Sequence, residues 1–218
     1  MFDLRINTPR LQLRPPTDED LADLAALAAD GVHEPDFMPF SIPWTEGGPE
    51  VAARNVLQFN WRLRAEWKPD DWHLNLVTVV DGEVVGNQGI AAKSFATVRS
   101  VNTGSWIGLR HQGQGIGKEM RAAVLHLAFA GLDALEALSG AWDDNKPSLG
   151  VSSAMGYEPN GEHFAARLDG SGRLLDLRLP RAVWEERRRD DICIEGLETC
   201  RHEFGITESG ITESGLIE

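Results

Sequence analysis

The chain reads as an α/β (α+β) fold, a central sheet flanked by helices, on three observations. Stretches of two-residue alternation and stretches of helical spacing follow one another along it. A glycine-rich turn near its middle, with Gly113, Gly115 and Gly117, joins an apolar run, Trp106–Leu109, to a helical pattern. Its 42% apolar content is enough for a core, while no apolar stretch reaches the about 18 residues of a membrane span.

Taken in order, Thr8–Arg14 alternates apolar with polar and predicts an edge strand. Thr17 caps a helix that carries acids in its first turn, buries Leu21, Leu24, Ala25 and Ala28, and runs to about Gly31. Gly31–Thr45, GVHEPDFMPFSIPWT, is too rich in proline for regular structure yet carries Met38, Phe40 and Trp44. It is either a loop packed on the core or the wall of a substrate pocket, with His33, Glu34 and Asp36 as its titratable groups. Pro49 opens a second helix through Val51, Val56, Leu57 and Leu63 to about Trp67. Trp72–Val80 and Val84–Ala92 predict strands joined by a two-residue turn at Asp81-Gly82, and Thr97–Leu109 a third. Lys118–Ala130 has helical spacing, and Ala134–Trp142 predicts a buried strand. Ser148 precedes a helix that stops at Gly156, Tyr157 starts another strand, Leu174–Leu179 is a last strand, and Ala182–Arg189 a short charged helix.

A glycine turn that opens a helix offers unpaired N–H groups to an anion, most often phosphate. Three phosphate motifs compete for these residues. The P-loop pattern fails twice, because Gln112 stands where its first glycine belongs and Glu119 where it needs a hydroxyl. The dinucleotide fingerprint fails at Lys118, where it needs glycine. The pattern Q/R-x-x-G-x-G/A is met at every fixed position by Gln112-Gly113-Gln114-Gly115-Ile116-Gly117. This turn resembles the coenzyme A pyrophosphate loop of the GNAT superfamily of N-acyltransferases. A tight strand-to-helix turn without a ligand is the alternative.

Further stretches resemble the RimJ/RimL branch of that superfamily over about residues 8–180. They are Thr8-Pro-Arg-Leu-x-Leu-Arg14 with Asp18-x-Asp20, Gly104-Ser-Trp106 through Gly117, and Asn145-x-x-Ser148-x-x-Val151 followed by Gly156-Tyr157. The resemblance implies a mixed, mostly antiparallel sheet whose fourth and fifth strands splay apart. It implies acetyl-coenzyme A as acyl donor and a primary amine as acceptor, a protein amino terminus, a lysine or a small molecule. The Gly31–Thr45 loop resembles that of an actinobacterial subgroup and extends the implied donors to succinyl-coenzyme A. Trp106, Ile107, Gly108 and Leu109 are the implied edge for the pantetheine arm, and the backbone of Gln112, Gly113, Gln114, Gly115, Ile116, Gly117 and Lys118 the implied pyrophosphate cradle. Asn145 either steadies the pantetheine or is a turn residue. Ser148 stands where related enzymes place a proton donor for the leaving sulfur, or merely starts a helix; many relatives have a tyrosine there, and the one tyrosine here is Tyr157.

A neutral amine is needed for attack, so a base or a water relay must take its proton. The candidates are His33, Glu34, Asp36, His73, Asp143 and Asp144, with His33 and Asp144 placed first. A cation near the thioester would favour succinyl, and Arg10, Arg14 and Lys93 are the candidates for that place.

The net charge of −13 argues against nucleic-acid binding and suits a cationic amine. The six histidines show no zinc spacing, so no metal is expected. The start lacks the order of a secretion signal, which with two late cysteines, read as free thiols rather than a disulfide, points to the cytoplasm. Residues 1–200 are expected to form one acyltransferase domain, and residues 201–218, with ITESG repeated from Ile206 to Gly215, a flexible tail or an appended one. A homodimer or higher homo-oligomer is expected from the apolar N-terminal helices. A non-catalytic acyl-coenzyme A sensor is the alternative to the enzyme.

Overall fold

The computed structural model describes residues 3–206. Its strands are β1 (Arg5–Asn7), β2 (Gln12–Arg14), β3 (Asp71–Val80), β4 (Glu83–Lys93), β5 (Ser100–Ile107), β6 (Glu136–Trp142), β7 (Glu158–Arg167), β8 (Gly170–Pro180) and β9 (Cys193–Glu195). They form one sheet in the order β7-β8-β6-β5-β4-β3-β2-β1-β9. Every ladder is antiparallel except β5 with β6, which runs parallel through Ser100↔Glu136, Val101↔Ala137 and Asn102↔Leu138 and then stops. Both strands continue past that point without pairing to each other, so the sheet opens as a fork above Asn102 and Leu138. The expected splay is therefore present, between the strands numbered β5 and β6 here because two short strands precede the first long one.

The helices are α1 (Asp18–Asp30), α2 (Pro49–Glu66), the single turn α3 (Phe95–Val98), α4 (Ile116–His126), α5 (Lys146–Met155) and α6 (Arg181–Glu185). Thr17 caps α1 by accepting from the Asp20 N–H at 3.1 Å, and Asp20 in turn accepts from the Thr17 N–H at 3.0 Å. The α4 helix and the wider turn that continues it, Leu127–Gly131, lie on one face of the sheet, where Met120, Ala123, Val124, Leu127 and Ala128 are buried with Leu13, Leu76, Ile90 and Val101. Each fully buried leucine of this kind contributes about 1.5–3 kcal/mol. The α1 and α2 helices cover the other face, where Leu21, Leu24, Ala28 and Val56 pack on Val77, Val79 and Val84.

Several expectations are corrected. The segment read as an edge strand is interior, because β2 pairs with both β1 and β3, and β9 closes the sheet beyond β1. Three-residue strands such as β1 and β9 are too short to show a period. The strand expected from Thr97 begins at Ser100, since Ser94 (φ +52°) and Arg99 (φ +54°) bracket the α3 turn. That turn buries Phe95 edge-on to Trp72, with ring centroids 5.6 Å apart. The α5 helix starts at Lys146 with Asn145 as its N-cap, so Ser148 lies inside the first turn rather than before it. The last helix is shorter than expected and ends at Glu185. Phe204 is fully buried, with its ring centroid 5.0 Å from that of Trp72. All of the ITESG repeat after Ile206 lies outside the described residues. Cys193 and Cys200 are both free. Among the described residues no helix is long and apolar enough to cross a membrane, and no cluster of three or more metal-ligating side chains occurs.

Candidate active site

The glycine turn bends as the sequence predicts. Gly113 (φ +74°) and Gly115 (φ +80°) are left-handed, and Gly115 is the N-cap of α4. The donors are fewer than expected. The Gln112 N–H bonds to the Leu109 carbonyl at 3.2 Å and the Lys118 N–H to the Gly115 carbonyl at 3.2 Å. The N–H groups of Gly113, Gln114, Gly115, Ile116 and Gly117 have no intramolecular acceptor among the described residues. They form a nest at the positive end of the α4 dipole. The Gln112 side chain has a bracing role, giving its amide to the carbonyls of Val32 and Ile107, both at 2.9 Å.

Arg10 stands beside this nest. It donates to the Gln114 carbonyl at 3.2 Å and pairs with Glu119, and a Cβ on Gly115 would lie 3.4 Å from its Nη2. Burial pushes the Glu119 carboxyl up, but hydrogen bonds from Thr8 and Arg10 and the Arg10 charge outweigh it and hold the group below its usual range. Of the cations considered near the thioester, none lies at the fork. Arg10 is at the nest, Arg14 pairs with Asp20 at 2.6 Å, and Lys93 ends β4 opposite Asp71.

The edge of β5 that faces the fork has no partner strand from Thr103 to Ile107, although the Thr103 carbonyl accepts from Ser139 Oγ at 3.3 Å and the Ile107 carbonyl from Gln112. The implied edge shifts accordingly, because the Gly108 N–H is used by Val85 and the Leu109 N–H by Gly31. Gly108 itself must be bare, since a Cβ there would come within 2.3 Å of Leu27 Cδ1. The closed end of the fork is stitched by side chains. Thr103 Oγ1 donates to the Leu138 carbonyl at 3.2 Å and shares a 3.0 Å bond with the Tyr157 hydroxyl. Tyr157 is thus buried at the base of the fork.

The two faces of the fork differ. On the α4 face, Arg121 reaches Ser139 on β6 and Ser105 on β5. On the α1/α2 face, the bare positions Gly104 and Gly140 stand where the two strands part, and a Cβ on Gly104 would meet nothing within 4 Å. Next to them His73 leans over Gly89, and a Cβ there would lie 3.0 Å from its Nε2. Burial, assisted by the Arg62 charge, lowers the His73 pKa below 6.5, so the ring is neutral at pH 7. His73 was one name among several in the sequence; only the sheet places it one strand from the fork.

Three of the other base candidates are engaged. His33 holds the Glu34 carbonyl with Nδ1 and Thr45 Oγ1 with Nε2, both at 2.8 Å. Asp144 is paired with Arg167 at 2.7 Å and Asp143 with Arg173 at 3.1 Å. Glu34 and Asp36 are exposed on the loop. That loop runs irregularly from Gly31 to Gly48 and leans on the site. Phe40, Trp44 and Trp106 form an aromatic row with centroids 5.0 and 5.5 Å apart, and Met38 is buried. Arg167 fastens the loop by donating from Nε and Nη2 to the Met38 carbonyl at 3.0 and 2.7 Å. Asn145 Oδ1 accepts from the Ser148 N–H at 3.2 Å, and Asn145 Nδ2 donates to the Pro39 carbonyl at 3.4 Å. Ser148 is half-buried on the first turn of α5.

Comparison with known proteins agrees with this geometry. Residues 10–158 match the family model described as an acetyltransferase (GNAT) domain. Mycobacterium smegmatis RimJ in complex with CoA-disulfide superposes with a TM-score of 0.69 at 22% identity, covering 94% of each chain. The ribosomal-protein-S5-alanine acetyltransferase of Vibrio fischeri gives 0.59 at 14% identity, over 83% of this chain and 98% of the other. A GNAT-family acetyltransferase of Bacillus anthracis gives 0.65 at 15% identity, over 82% and 99%. The forked sheet, the glycine nest at the head of α4 and the family match together make this chain a member of the GNAT acetyltransferase family.

Proposed function

We propose that the protein transfers an acyl group from acetyl-coenzyme A to a primary amine by direct attack. The observation that carries this reading is the run of unpartnered amides from Gly113 to Gly117 at the head of α4, beside the unpaired edge of β5. A diphosphate on those amides, with Arg10 and Lys118 near it, leaves a peptide-like arm to lie along β5 toward the fork. Asn145 and Ser148 flank the arm from α5.

The thioester carbonyl then lies between β5 and β6. The acceptor enters from the α1/α2 face, over the bare positions Gly104 and Gly140. His73, neutral at pH 7, takes the amine proton directly or through a water. Nitrogen bonds to the acyl carbon, a tetrahedral intermediate forms, and the carbon–sulfur bond breaks with its electron pair passing to sulfur. The 31–48 loop shapes the acceptor pocket through Met38, Phe40 and Trp44, with Glu34 and Asp36 at its rim to attract a cationic amine. His33 braces that loop and Asp144 orients Arg167, so neither serves as the base. A protein amino terminus, a lysine or a small amine fits this description, and the cytoplasm is the compartment it suits. Succinyl-coenzyme A is the second donor to be tested. A homo-oligomer would be assembled through the outer faces of α1 and α2.

Calorimetry with acetyl- and succinyl-coenzyme A, then thiol release against a panel of amines and amino-terminal peptides, tests the reading. Micromolar binding and turnover on one acceptor class is the expected result. Absence of binding would overturn it, and binding without turnover on any acceptor would turn the reading to an acyl-coenzyme A sensor.

A further inference from the structure

Arg121 is a buried cation that neither the fold nor the proposed transfer chemistry employs so far. Its residue is 3% exposed, on the second turn of α4. Among the described residues no carboxylate lies within ion-pairing distance of it. Its Nη1 donates to Ser139 Oγ at 3.2 Å and its Nη2 to Ser105 Oγ at 3.3 Å, while the buried Nε has no partner. Gln88, beside Ser105 in the β4–β5 ladder, also leaves its buried Oε1 unpartnered. A neutral amide and two hydroxyls do not offset a full charge. Buried charges are ordinarily paired, and this one has been left open where β5 and β6 separate.

We propose that Arg121 receives the negative charge of the departing coenzyme sulfur. The inference rests on the acyl-coenzyme A reading above. Ser105 and Ser139 stand on opposite strands of the fork, on the α4 side, and His73 and the bare glycines on the other. The amine and the leaving group therefore occupy opposite faces of the sheet. When the carbon–sulfur bond breaks, the electron pair stays on sulfur as a thiolate against the Arg121 guanidinium and the Ser105 hydroxyl, the Ser139 hydroxyl being donated to the Thr103 carbonyl at 3.3 Å. The cationic amine gives up one proton to solvent before attack and a second, from the nitrogen of the tetrahedral intermediate, to His73, and the product thiolate takes a proton from solvent after release. A guanidinium does not give up its own proton, so this assists departure by charge and not by acid catalysis. No tyrosine acid is then required, which fits a fork whose tyrosine, Tyr157, is bound to Thr103 at the closed end.

The test uses the full chain and coenzyme A itself, so no acceptor is needed. The thiolate absorbance of bound coenzyme A near 240 nm is titrated against the same protein loaded with desulfo-coenzyme A, which cancels the signals of Cys193 and Cys200. A free cysteine thiol titrates at about 8.5, and an adjacent arginine lowers such a value. The bound thiol is expected at least about one pH unit below free coenzyme A. Arg121→Met should return it to the free value or above, while Arg121→Lys keeps most of the shift. A wild-type bound thiol that titrates at or above the free value overturns the proposal, even if Arg121→Met does not fold. It is equally overturned if Arg121→Met leaves the titration in place and instead weakens only succinyl-coenzyme A, which would make the group a carboxylate receptor. Failure of coenzyme A to bind at all would instead strike the acyl-coenzyme A reading.

Discussion

Arg10 and Glu119 join the start of the chain to the head of α4, with Nη2 and Oε2 2.6 Å apart. Glu119 also accepts from Thr8 Oγ1 at 2.6 Å, so one carboxylate holds the turn before β2 against α4. It sits on the first helical turn, where the dipole favours an anion, yet it is neutralised from outside and does not compete with a ligand at the nest. Glu119→Ala should lower stability by about 1–3 kcal/mol, discounted because Arg10 is half exposed. For a chain of this size that is a melting temperature lower by about 2–4 °C per kcal/mol. The depressed carboxyl places the stabilisation above the ordinary value of 4.5, and it is lost as pH falls through the lower folded value. Thermal melts of both proteins from pH 7 to pH 3 should converge at the acid end.

Gly113 tests the nest without disturbing the packing. A Cβ there would meet nothing within 4 Å. Aspartate tolerates the left-handed conformation, so Gly113→Asp should cost about 1–2 kcal/mol or less in stability. Its carboxylate would face the coenzyme phosphates, and such like-charge juxtaposition costs several kcal/mol. Calorimetry should show acetyl-coenzyme A binding weakened by at least about 100-fold while the melting temperature moves little. Unchanged affinity would place the diphosphate elsewhere.

His73 should control the pH profile. Replacement by glutamine should lower the turnover number by about 10²–10⁴-fold, the range for loss of a general base, with coenzyme affinity unchanged. In the parent enzyme the rate should fall on acidification with a midpoint below 6.5, because burial disfavours the charged ring. The same sign governs stability. The folded pKa lies below the unfolded one, so stability is full above 6.5 and declines as pH drops toward the folded value. His73→Gln should flatten that decline, read as melting temperature between pH 7 and pH 5.

Arg167 fastens the 31–48 loop to β7 and lies over the rings of Phe37 and Trp142, 5.1 and 5.0 Å from their centroids. Arg167→Met removes two bonds to the Met38 carbonyl and the pair with Asp144. The acceptor KM should rise about 3–10-fold, the size of one or two net hydrogen bonds, with the coenzyme dissociation constant unchanged. Hydrogen exchange should quicken within residues 36–44. An equal loss for coenzyme and acceptor would mean that the loop serves the nest instead.

Much of this was legible in the residues alone, and the reason is locality. Thr17 and Asp20 cap α1 within four residues, Asp81-Gly82 turns a hairpin, and Gly113 and Gly115 supply positive φ in one turn; each depends only on neighbours in the chain. The glycine nest belongs with them, because a glycine turn and the helix after it make it together. What needed the tertiary structure was every choice among side chains far apart in sequence. His33 and Asp144 meet their partners, Thr45 and Arg167, only in the folded chain, and only the sheet sets His73 over Gly89, in the strand next to Gly104. Arg121 read as one polar position on an amphipathic helix. The splay of β5 from β6 made it a lone charge under an open seam, since burial and pairing are properties of the packed chain and leave no mark on the spacing of residues.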